Sequence, residues 1–129
     1  MPLLDMSEAL NVSDMFNYCS NLEEVPQFDL GKVTSSARMF RFCTKLKNVP
    51  AFNLASVTST MNIDSMYAGC NALTSDSLNN VLATILTLPS NVGGTKTLRY
   101  LGLSSTQANT CTGLSNWSSV SALGWTTGY

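Results

Sequence analysis

Four cysteines, eight acidic residues and no histidine make up the reactive inventory of this 129-residue sequence. Cys19, Cys43 and Cys70 stand out because they recur at near-regular intervals. Three thiols without a histidine or a Cys-x-x-Cys pair make a poor zinc site. Set among apolar residues, each is expected to be buried and reduced, as a small hydrophobe. Cys111 lies outside the series, and nothing supports pairing it with the others. Asp14, Glu23, Glu24, Asp29, Asp64 and Asp76 offer no clear pair of the kind that cleaves glycosidic bonds. The lack of histidine removes the commonest general base and the commonest transition-metal ligand. No glycine-rich phosphate loop and no Gly-x-Ser-x-Gly elbow is present. The sequence therefore assigns no catalytic residue, no metal and no cofactor. The chain is expected not to be an enzyme, with a small hydrolase as a remote alternative.

What would position these groups is a repeat. Met15-Phe16-x-x-Cys19-x-x-Leu22-x-x-Val25-Pro26-x-Phe28-Asp29-Leu30-x-x-Val33-Thr34-Ser35 returns as Met39-Phe40-x-x-Cys43-x-x-Leu46-x-x-Val49-Pro50-x-Phe52-Asn53-Leu54-x-x-Val57-Thr58-Ser59, 24 residues on. A half-copy, Met66-Tyr67-Ala68-Gly69-Cys70-Asn71-Ala72-Leu73, follows at an offset of 27. Pro2, Leu4, Asp5, Met6 and Ala9 fall 24 residues before their counterparts, so the sequence opens in mid-repeat. Apolar residues fixed in register point to a coil whose interior is completed only by stacking on its neighbours. Met-Phe-x-x-Cys is spaced for a short helical turn. Leu-x-x-Val-Pro reads as a short extended segment closed by a proline that cannot donate to a ladder. Asp29 and Asn53 sit where a side-chain oxygen caps a turn.

The block resembles the BspA-type leucine-rich-repeat family over about residues 1–73. The resemblance implies an α/β fold, a right-handed leucine-rich-repeat solenoid of about three coils, used for binding and adhesion by bacterial surface proteins and phage structural proteins. It carries no catalytic residues. From Thr74 the repeat stops, and residues 74–129 are expected to form a helix-plus-strand cap continuous with the coils. Leu78, Val81, Leu82, Ile85 and Leu86 recur at helical spacing, with Ser75-Asp76-Ser77 able to cap the start. Thr97–Leu103 alternates like a half-buried strand. A second, weaker helix is expected near Asn116–Leu123 and a last strand at Gly124–Thr127. No matching cap precedes the first coil. That leads to the expectation of a neighbour there, as part of a larger assembly or a longer chain.

Charged residues are only 12% of the chain, about half the usual share. Ser, Thr and Asn supply about a third of it instead. Seven basic residues against eight acidic ones argue against nucleic acid. No apolar run is long enough to span a membrane, and the first residues lack the shape of a signal peptide. Positions that differ between matching coils are those the core does not dictate. Asn17/Arg41, Tyr18/Phe42, Glu23/Lys47 and Glu24/Asn48 are such pairs. Asn17, Tyr18, Arg41 and Phe42 would form an aromatic strip, and Glu23, Glu24 and Lys47 a mixed-charge strip, to hold a protein subunit or surface glycan. The expected role is a non-catalytic structural module on an exposed surface. A phage virion exterior (tail fibre, receptor-binding or decoration component) comes first, and a bacterial cell-surface adhesin fragment is the alternative.

Overall fold

Residues 6–57, 62–89 and 95–129 are described by the structure, a computed structural model. Between Val12 and Cys19 the chain makes successive tight turns. The Met15 amide donates to the Val12 carbonyl, Asn17 to Asp14 and Cys19 to Phe16. Asp14 and Tyr18 take the left-handed conformation, at φ 61° and 65°. The same backbone returns with Arg38 and Phe42, and again with Ser65 and Gly69. Met-Phe-x-x-Cys is therefore a run of turns, not the expected helical turn, because a left-handed residue every fourth position interrupts any helix.

These turns stack. Amides of Val12, Asp14, Phe16 and Tyr18 donate to carbonyls of Ser35, Ala37, Met39 and Arg41. Amides of Ser36, Arg38, Phe40 and Phe42 donate in the same way to Asn62, Asp64, Met66 and Ala68. Ring stacking follows the same spacing. Phe16 lies 5.7 Å from Phe40, and Phe40 lies 5.7 Å from Tyr67. Phe28 and Phe52 form a second column, 6.1 Å apart. Such pairs add about 0.5–1.5 kcal/mol each beyond the area they bury. One apolar cluster runs from Met6 to Trp125.

The expected α/β architecture, a right-handed leucine-rich-repeat solenoid with a strand in its cap, does not form. Among the described residues there is no β-strand, only isolated parallel bridges such as Asn11 to Ser35, Ser35 to Asn62 and Glu24 to Asn48. The left-handed residues at 14, 38 and 65 end each extended run just past its bridge. Pro26 and Pro50 carry no N–H, so the pairing begun at Glu24 and Asn48 cannot propagate. Thr97–Leu103, expected as a strand, is a turn with one bridge, Thr97 to Thr126. Gly102, at φ 90°, bends it. The expected last strand, Gly124–Thr127, is reduced to that same bridge.

Among the described residues three helices follow the turns: α1 Ser75–Thr87, α2 Ser105–Cys111 and α3 Trp117–Ala122. The Thr74 side chain caps α1 by accepting from the Ser77 amide. The apolar face of α1 buries Leu78, Val81, Leu82 and Ile85. A neighbouring polar row has a different task. Ser77 and Thr84 hydroxyls accept the Val49 and Phe52 amides, and Thr87 accepts that of Leu54. Asn80 donates to the Val49 carbonyl. Thus α1 supplies, through side chains, the hydrogen bonds that a further extended segment would have supplied through backbone. Helices α2 and α3 pack on α1, where Asn79 bonds both the Asn116 amide and its side chain.

Candidate functional site

The left-handed positions carry the candidate site. A left-handed backbone costs a residue with a Cβ about 1–2 kcal/mol, and glycine far less. The third copy has Gly69 there, whereas the first two carry Tyr18 and Phe42. Their rings pair at 4.9 Å, and the Arg41 guanidinium lies 4.7 Å from the centre of the Phe42 ring. Phe42 is half-buried, while Tyr18 is 64% exposed. A ring pair and an exposed cation–π contact contribute about 1–2 kcal/mol together. That is on the scale of the strain, so the fold gains little by having an aromatic at position 18. Gly69 is needed by Phe42 as well. A Cβ at 69 would sit 2.5 Å from Phe42 Cδ1.

Of the other residues singled out from sequence, Asn17 is half-buried and its Nδ2 donates to Asp14 Oδ1 at 3.2 Å. Its own Oδ1 is buried with no partner among the described residues. Glu23 and Lys47 are exposed and face each other at 3.9 Å, so their charges offset one another. Glu24 is exposed and joins Asn48 through a backbone bridge. The structure thus brings Tyr18, Phe42 and Arg41 together. No hydrogen bond, ion pair or ring contact among the described residues links them to Glu23, Glu24 or Lys47.

Acids and thiols are absorbed by the stack. Arg38 grips Asp14 with two contacts of 2.9 Å, and that hydrogen bonding holds the Asp14 carboxyl below its ordinary range. Lys32 bonds Glu8 at 2.7 Å. All three ion pairs among the described residues join residues 24 apart, so they hold the register between successive repeats. Asp29 accepts the Gly31 amide, and Asp64 accepts the Ser65 hydroxyl. The four cysteines are free. Cys43 Sγ donates to the Phe16 carbonyl at 3.0 Å and Cys70 Sγ to that of Phe40 at 2.8 Å. The Cys43 contact and burial push the Cys70 thiol up, and burial takes Cys111 to about 11. Cys19, expected to be buried like its counterparts, is only half-buried, because no turn among the described residues covers the first one. No group of three or more Cys, Asp or Glu is placed to hold a metal among the described residues. No helix there is long and apolar enough to cross a membrane.

Sequence reasoning missed three features. The Asp14–Arg38 pair was legible in the 24-residue offset. Helix α2 was legible as Ser104-x-x-Gln107, whose side chains form a capping box, while Gln107 Nε2 also reaches the Cys70 carbonyl at 2.7 Å. The seat that Gly69 provides for Phe42 had no signal beyond the glycine itself.

No curated protein and no solved structure matches the chain. The resemblance to BspA-type leucine-rich-repeat proteins is overturned, since the family that matches is a different one and the strands such repeats require are missing among the described residues. The match spans residues 3–94 and so runs through the end of the repeat and across α1. On that match, which covers more than half of the sequence, the chain belongs to the family described as Mycoplasma protein of unknown function, DUF285.

Proposed function

We propose that this protein is a non-catalytic binding module displayed on an exposed surface, of a virion or a bacterial cell. It takes a protein subunit or surface glycan against the strip formed by Tyr18, Phe42 and Arg41. The observation that carries this reading is Tyr18: a 64% exposed ring held at φ 65°, where the backbone favours glycine. Strain kept at a solvent-facing aromatic is the pattern expected of a contact residue. A flat ring with a neighbouring guanidinium suits stacking on a sugar face or anchoring a partner side chain. Glu23, Glu24 and Lys47 would tune the orientation of the partner. The self-paired carboxylates and carbonyl-bonded thiols favour a structural use of the reactive groups.

The test is the double replacement Tyr18→Ser with Phe42→Ser, with folding checked by circular dichroism. Attachment to the cells or particles that carry the protein should fall at least tenfold. Unchanged attachment by a folded variant would overturn the aromatic strip as the contact.

A further inference from the structure

Charges in the stack follow the 24-residue offset, with two exceptions. Between residues 32 and 47, Lys32, Arg38 and Lys47 each meet an acid 24 residues earlier, which is Glu8, Asp14 and Glu23 in turn. Arg41 and Lys45 meet none. The residues 24 before them are Asn17 and Asn21, and those 27 after them are Ala68 and Ala72. Both cations are interior to the stack, with a described turn on either side. Among the described residues neither makes an ion pair.

Two successive turns hold them. The Cys43 amide donates to the Phe40 carbonyl and the Leu46 amide to that of Cys43. Cys43 is thereby buried, with Arg41 and Phe42 on one side of it and Thr44 and Lys45 on the other. The stretches 15–22, 39–46 and 66–73 contain no Asp or Glu, so the face they stack into carries two positive charges and no negative one. The acids at its border are already engaged. Asp14 lies within the field of Arg41, but Arg38 grips it with two contacts, and Glu23 faces Lys47. The Arg41 guanidinium rests over the Phe42 ring at 4.7 Å. On the same face Ser20, Asn21, Thr44, Lys45 and Asn71 are exposed, and their side chains have no hydrogen-bond partner among the described residues.

From this we infer that the face takes an acidic glycan, whose carboxylate or sulfate groups are held by Arg41 and Lys45. A guanidinium steadied on a ring presents its donors in a fixed fork that matches such an anion, and the lysine adds a second, mobile positive charge. The free amides and hydroxyls beside them suit sugar hydroxyls. An acidic peptide fits less well. None of the exposed large hydrophobic residues lies in 39–46 or 66–73, so the second and third turns offer a protein partner no apolar anchor. The inference rests on the reading of the protein as a binding module and narrows its ligand to a sugar that carries negative charge.

The probes are octasaccharides of hyaluronan (carboxylate) and chondroitin sulfate (carboxylate and sulfate), neutral chitohexaose, and hexaglutamate, each titrated into the 15N-labelled full chain. Saturable shifts at residues 17–21, 41–45 and 68–72 are expected with at least one of the two acidic sugars, weakening as salt is raised. Arg41→Gln with Lys45→Gln should weaken that binding at least tenfold. Lys32→Gln with Lys47→Gln removes as much charge from the paired positions and should change it less than twofold. Each variant keeps its outward position, and its amide spectrum reports the fold. No binding of either sugar, shifts elsewhere, equal effects of the two double variants, or equal binding of chitohexaose or hexaglutamate would overturn the inference. Attachment of the Tyr18→Ser, Phe42→Ser variant separates the two readings. Acidic-sugar binding with unchanged attachment of that variant sinks the aromatic strip alone. Loss of attachment in a chain that binds no acidic sugar sinks the glycan alone.

Discussion

Gly69 and Phe42 show how a residue two turns from the first can govern the candidate site. The ring lies over the glycine, and a Cβ there would meet it at 2.5 Å. Gly69→Ala is expected to cost about 2–3 kcal/mol: roughly 1 from the left-handed backbone at φ 77° and the rest from displacing the ring. In the Phe42→Ser background only the backbone part should remain, about 1 kcal/mol. Urea denaturation of the two single variants and the double variant measures this as a coupling. Strictly additive costs would show that the ring is not what the glycine accommodates. Residue chemistry elsewhere was partly legible. The regular spacing of the thiols marked Cys43 and Cys70 as buried positions. The pairing of Glu23 with Lys47 was not legible. Glu23 and Lys47, expected as partner contacts, also face one another at 3.9 Å.

At the scale of elements, α1 is the clearest case of sequence and structure agreeing, because five apolar residues at helical spacing leave little choice of conformation. The structure extends it to Ser75–Thr87. What the apolar stripe did not announce is the polar row beside it. Thr84 is 5% exposed, and its hydroxyl accepts the Phe52 amide at 2.9 Å. Thr84→Val keeps the shape and removes the acceptor, leaving a buried N–H unpaired, at an expected cost of about 1–3 kcal/mol. Thr106→Val, on the exposed side of α2, should stay within about 0.5 kcal/mol. Thermal unfolding of both variants checks the contrast, and equal effects would show that the hydroxyl of Thr84 does not hold the extended segment. Strands failed as a prediction for a related reason. Alternation marks which residues face inward, but a strand also needs a continuous run of extended residues and free amides. Left-handed residues and prolines deny both here.

The whole molecule is a stack with unlike ends. The C-terminal end is covered by the turn at Thr97–Leu103, which is itself bonded to the last residues. The first turn lacks such cover among the described residues, and the exposure of Met15 and Tyr18 follows. Thiol reactivity should report this polarity. In the native protein at neutral pH, iodoacetamide is expected to modify Cys19 well before Cys43, Cys70 or Cys111, which are buried. Burial holds Cys19 above its ordinary value, so its rate should climb as pH rises toward and past that range. Peptide mass spectrometry over time gives the order. Equal rates for Cys19 and Cys43 would mean that the stack opens as a unit.

By itself the sequence determined the register. Residues of matching chemistry 24 apart must occupy matching places if each is to bury its apolar side chain, and Phe16 over Phe40 and Phe28 over Phe52 follow from that. It also marked positions 18 and 42 as ones whose residue type changes between matching repeats. Only the tertiary structure decided how the chain gets from one matched residue to the next. Whether a segment between fixed points becomes strand, helix or turn depends on backbone dihedrals and on which groups lie across from it. Those partners sit 22 to 38 residues away. The same long-range contacts decided which polar groups are consumed inside the stack and which rings are left facing out.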